Sequence, residues 1–143
     1  MGKPMRITQF VYGLIFFLAG LNGWAVFFGF SPFLPTSPEV MAFFRYPYLL
    51  FTEKSVEVAA GLLLMCNRWV PLALNMLAPI VVNILLFHLF VDASLLPLAI
   101  LMAAGEAVLL WACRDAFQGM LAPTHKKIRI LALNSLQGCF FVQ

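Results

Sequence analysis

From Ile7 to Phe30 the chain carries no charged residue and is almost wholly apolar. About twenty helical residues cross the hydrocarbon of a bilayer, so this run is long enough to span one. Within lipid the backbone must satisfy its own hydrogen bonds, and a segment of this pattern does so as a helix. The basic start at Lys3 and Arg6 also suits a signal peptide. The apolar run is too long for that, and no small-x-small cleavage site follows it. It reads as an uncleaved first span, over about residues 7–30. Gly13, Ala19, Gly20 and Gly23 would let a neighbouring helix approach closely, and Asn22 is the polar residue singled out in its second half.

Three further segments resemble the first. Spans are expected over about 48–66, 71–91 and 95–112, joined by tight turns at Asn67-Arg68-Trp69-Val70 and Asp92-Ala93-Ser94. Pro71 suits the first turn of its helix, whereas Pro79 lies inside that helix and tends to kink it. Composition agrees: 63% of residues are hydrophobic and 10% charged, against about 25% charged in a soluble domain. The fold class is therefore an all-α membrane protein, an antiparallel bundle of four transmembrane helices within residues 1–117.

Between the first two spans, Ser31 to Tyr48 contains four prolines and cannot be one helix. Ser37-Pro38-Glu39 carries a capping hydroxyl, a proline suited to the first helical position and an acid in the first turn. A short interfacial helix over Glu39–Phe44 is expected in this first outer loop, its aromatics suiting headgroup depth. Residues 118–143 are basic and then apolar, a cytoplasmic tail resting on the lipid surface or disordered.

The basic pI reflects membrane topology, and no nucleic-acid partner is inferred. No phosphate-binding glycine motif or metal-finger spacing is present. Cys66, Cys113 and Cys139 form no Cys-x-x-Cys pair and read as small apolar filler. No metal site and no catalytic residue is assigned.

Seven polar residues within the spans are singled out: Asn22 in the first, Glu53, Lys54 and Glu57 in the second, Asn83 and His88 in the third, Glu106 in the fourth; Asn75 lies apart, near the cytoplasmic end of the third. A charge inside the hydrocarbon costs about 2.5–3.5 kcal/mol on insertion scales, so each should face a partner or a wet cavity. Glu53 and Glu57 are four apart and Lys54 and Glu57 three apart, which puts both pairs on one helix face. His88 and Asp92 are also four apart, a spacing that lets the acid fix the imidazole tautomer. Glu106 needs a donor, for which Lys54 and His88 are candidates. At 1.5 Å per residue the cluster falls at mid to outer depth, with Asn83 matching Glu53 and Lys54 in height and His88 nearer the outer surface.

Gly20-Leu21-Asn22-Gly23, Lys54-Ser-Val-Glu57-Val-Ala-Ala-Gly61, Asn67-Arg68-Trp-Val-Pro71 and Leu77-Ala-Pro79-Ile-Val-Val-Asn83-Ile-Leu-Leu-Phe87-His88 resemble the DoxX family of small bacterial four-helix membrane proteins, over about residues 7–117. The resemblance implies the same fold, a bacterial inner-membrane location and an association with quinone or redox complexes. Family members often follow the first-helix Asn with Lys, whereas Gly23 stands here.

The expected function is an accessory protein that binds a small hydrophobic ligand, a quinone or lipid, in the outer half of the bundle. One alternative is a subunit or assembly factor of a membrane complex acting by protein–protein contact. The other is a redox enzyme or proton-linked transporter using Glu57, His88 and Glu106, although the lack of a haem, flavin or metal signature weighs against a stand-alone enzyme. Membrane lipid is the expected environment; a membrane-protein partner and a homo-oligomer are both compatible with it. Lys3, Arg6, Arg68, Arg114, Lys126, Lys127 and Arg129 fall on one side of the membrane and Arg45 on the other. Both termini are therefore expected to be cytoplasmic, and reporter fusions at Gly2 and Gln143 should both give cytoplasmic signals.

Overall fold

The computed structural model describes residues 3–43 and 45–121, and no strand occurs among them. The helices are α1 (Lys3–Phe27), α2 (Pro38–Phe43), α3 (Pro47–Met65), α4 (Val70–Phe90), α5 (Leu96–Ala112) and α6 (Arg114–Leu121), with a 3-10 turn at Ala93–Leu95 before α5. The compact unit containing α1 to α5 ends at Cys113, and α6 belongs to a separate unit. The tail read from 118 onward is α6 as far as Leu121, and its basic stretch lies outside the described residues.

Three helical segments, Pro4–Phe27, Val70–Phe90 and Ala93–Ala112, are long and apolar enough to cross a membrane. Compared with the sequence reading, the first helix begins four residues sooner, at Lys3, and stops at Phe27 rather than Phe30. Gly29, at φ 83, lies just beyond it, in a conformation that Gly tolerates and that ends the helix. The loop helix starts at Pro38, with the Ser37 hydroxyl accepting from the Val40 amide at 3.3 Å. Pro79 lies within α4, which continues past it as a single helix.

In the first unit, α1 packs on α3, α3 on α4, α4 on α5, and α5 closes back on α1. The closest of these seams is α1 against α3. A methyl group placed on Gly61 would sit 2.7 Å from both the Gly13 carbonyl oxygen and the Phe17 amide nitrogen. Backbones this near leave no room for a side chain, and small residues at such a seam increase van der Waals contact in a setting where lipid supplies little hydrophobic drive between helices. The core that the ring encloses includes Tyr12, Phe16, Leu64, Leu74, Leu77 and Leu109, while Leu62, Leu86, Leu101 and Trp111 point outward.

The α3–α4 turn has an identifiable cause. Arg68 donates its amide to the Leu63 carbonyl at 2.9 Å and Asn67 to Leu64 at 3.1 Å, the paired bonds of a Schellman end. Asn67 occupies the left-handed position at φ 52, which Asn tolerates better than most residues. Trp69 follows at φ 50, a conformation bulky side chains rarely adopt. Gln9, buried in the first turns of α1, ties this end shut by donating to the Leu64 carbonyl at 2.6 Å and to the Asn67 side chain at 3.1 Å.

Gly61→Val should lower stability by about 1–3 kcal/mol or prevent assembly, as overpacking does. Leu62→Val, on the exposed face of the same helix, should change it by no more than about 0.5 kcal/mol. Thermal unfolding in detergent separates the two.

Candidate functional site

At the end of the bundle away from the N-terminus, a cavity of about 240 Å³ is lined by residues of α1, α3, α4 and the loop between α1 and α3. Its polar residues include Asn22, Glu53, Lys54, Asn83 and His88; Val26, Leu34, Val40, Leu50, Ile84 and Phe87 supply apolar wall. Five of the seven residues singled out in the sequence thus share one cavity. Glu57 lies behind Lys54 and is not part of the lining, and Glu106 is elsewhere.

The α3 charges form a row. Lys54 Nζ is 2.7 Å from one Glu57 oxygen and 3.5 Å from Glu53. Glu57 is 1% exposed, and its second oxygen has no hydrogen-bond partner among the described residues. The Lys54 stem lies across Gly23 of α1 so closely that a Cβ at Gly23 would overlap it. Glycine at that position is what allows a lysine from α3 to reach inward.

Asn22 has a structural task. Its side-chain oxygen accepts from the Phe33 and Leu34 amides at 2.8 and 2.9 Å, and its amide reaches the Thr36 hydroxyl at 3.5 Å. These bonds fold the loop back over the bundle end, so that Leu34 to Ser37 roof the cavity.

His88 departs from expectation in its partner. Nδ1 lies 2.7 Å from the Asp92 backbone carbonyl, not from the carboxylate. A carbonyl only accepts, so the proton on that nitrogen is fixed and Nε2 of the neutral ring is left as an acceptor. The Asp92 carboxylate instead accepts from the Ser94 amide at 3.0 Å, capping the 3-10 turn. The neighbouring Ser37 hydroxyl, with the Ser94 groups, holds its carboxyl below the usual range, at about 2.

Asn83 is exposed to the cavity and makes no hydrogen bond among the described residues. Asn83 and His88 Nε2 therefore present unused hydrogen-bonding capacity beside the Lys54–Glu53 pair.

Glu106 meets neither expected donor. It is buried beside Tyr12 of α1, whose ring lies against Gly105. The Tyr12 hydroxyl has one proton and donates it to the Met102 carbonyl at 3.0 Å, and neither Glu106 oxygen has a hydrogen-bond partner among the described residues. The sequence reading passed over Gln9 and Tyr12. Both stand three apart on the inward face of α1, so a helical-face count would have found them.

No group of His, Cys, Asp and Glu suited to a metal occurs among the described residues. Comparison with protein-family models, curated proteins and solved structures gives no match to the chain.

Lys54→Ala should cost about 3–5 kcal/mol, because it strands the buried Glu57 charge. Arg68→Ala, at an exposed turn position, should cost no more than about 0.5 kcal/mol. Lys54→Met combined with Glu57→Leu should recover much of the loss, and melting in detergent reads all three.

Proposed function

We propose that the chain is a DoxX-like protein of the bacterial inner membrane that binds a small amphipathic ligand, a quinone or lipid, by its polar head in the cavity. In this reading α3 is a fourth span, α2 lies in the outer interface and both termini are cytoplasmic. Nineteen residues make α3 roughly 28 Å long at 1.5 Å per residue, close to the hydrocarbon thickness. Its charges turn inward: Glu57 is 1% exposed, and the Glu53 and Lys54 side chains are 14% exposed. A span can carry charges when the bundle, not the lipid, receives them.

The observation that carries the ligand reading is the pairing of apolar walls with unused polar groups at one place. Asn83 and His88 Nε2 have no hydrogen-bond partner among the described residues, and the adjoining Lys54 supplies a cation. Sites for small molecules combine a mainly apolar lining with a few converging polar groups. A cavity of about 150 Å³ holds benzene, so 240 Å³ suits a substituted ring or a compact headgroup. With Nδ1 engaged by the Asp92 carbonyl, the His88 ring can accept at Nε2, which suits a head that carries a hydroxyl, as a quinol or a glycerol does. Glu106 is separate from the cavity, and this reading gives it no part in binding.

Solvent extraction of the purified protein followed by mass spectrometry should yield one such amphiphile in near-stoichiometric amount. Asn83→Leu should lose it while melting within a few degrees of the parent, since Asn83 makes no hydrogen bond among the described residues. Ligand-free protein that co-purifies with one membrane partner would favour the subunit or assembly-factor reading instead.

A further inference from the structure

We propose that the ligand's apolar tail leaves the head-group cavity sideways, between α2 and α4, and that this groove is its route to the lipid. The inference rests on the head-group reading above and adds a path to it. A cavity of 240 Å³ takes a head but not a head with a long chain. A second cavity of about 510 Å³ runs along α4 beneath the loop helix, lined by Glu39, Ala42, Asn83, Leu86, Phe87 and Val91. Asn83 and Phe87 line both cavities, so they form the wall between them.

Three other sides of the head-group cavity are obstructed. Above it lies the loop that Asn22 holds through the Phe33 and Leu34 amides. Towards α1 and α3, the Lys54 stem fills the space over Gly23, and Gly20 lies so close to Val58 and the Lys54 carbonyl that a methyl there would clash. Towards the bundle centre, Lys54 is pinned to buried Glu57. On the α2 side the lining is all side chain: Val40 and Met41 of α2, the half-buried Phe87 ring, and the Asn83 carboxamide, which makes no hydrogen bond among the described residues. Side chains of this kind change rotamer far faster than helices move. Beyond them the groove is mostly apolar and bordered by Leu86 and Val91, which are 47% and 61% exposed. That surface suits a hydrocarbon or isoprenoid chain. Glu39 sits at its α2 edge.

The test uses the full chain in nanodiscs and native mass-spectrometric titration with three probes: decyl-1,4-benzoquinol, methyl-1,4-benzoquinol and monodecanoylglycerol. Ala42 is exposed on α2, so Ala42→Phe fills the groove without entering the core; Leu62→Phe, on the outer face of α3, is the control. The parent should bind a decyl probe at least about tenfold more tightly than the methyl probe, from the added buried chain. Ala42→Phe should erase that advantage, leave the methyl probe within about twofold and match the control in melting temperature. Sensitivity confined to the benzoquinol or to the glycerol ester identifies the head as quinol or lipid, and either supports the route. Equal weakening of decyl and methyl probes, or no effect of Ala42→Phe on any decyl probe, overturns the route and leaves the head-group site standing. Failure of the parent to bind any probe overturns the head-group reading, and the route with it.

Discussion

Glu57 sits on a helix packed between two others, almost completely removed from solvent, and its charge must be met inside the protein. Lys54 meets it from one turn away at 2.7 Å. That contact has consequences beyond α3. The lysine stem needs room on α1, which Gly23 supplies, and Gly20, Gly13 and Gly61 let the two backbones approach closely along the same seam. A buried ion pair gives little net stability against an apolar replacement of the same shape, yet losing one partner is expensive. The arrangement thus constrains how α1 and α3 can pack more than it strengthens the bundle, and it places an ammonium group at the edge of a cavity.

Around that fixed pair, polar groups divide by task. Asn22 and Gln9 spend their hydrogen bonds on backbone groups, one holding a loop over the cavity and the other closing the opposite end of α1 against α3. His88 spends one nitrogen on the Asp92 carbonyl and keeps the other. Asn83 spends nothing among the described residues. Residues that looked equivalent as polar points in apolar helices are therefore unequal: some are scaffold, and some are available to a guest.

Glu106 and Tyr12 form a second buried polar place, on α5 and α1. The tyrosine proton is committed to Met102, and the carboxyl has no hydrogen bond from the described residues. It is separate from the cavity that the other residues share, which removes the simplest argument for a continuous row of proton-carrying groups through the bundle.

The helical class, the α3–α4 and α4–α5 turns and the capped loop helix were legible in the chain because they depend on local causes. Run length against bilayer thickness, prolines at first turns, Ser37 before Pro38 and Asn67 at a left-handed position act within a few residues of one another. Helical spacing likewise put Lys54 beside Glu57, and depth put Asn83 level with them. Partner choice between helices was not legible in this way. His88 and Asp92 have the right spacing for an imidazole–carboxylate bond, but the end of α4 turns the backbone carbonyl towards the ring and the carboxylate towards Ser94. Glu106 had two plausible donors by composition, and the rotation of α5 gave it a tyrosine already engaged elsewhere. The meaning of Gly23 depends on a side chain thirty-one positions away. Sequence spacing determines which residues share a face; only the packing of the faces decides what each one meets.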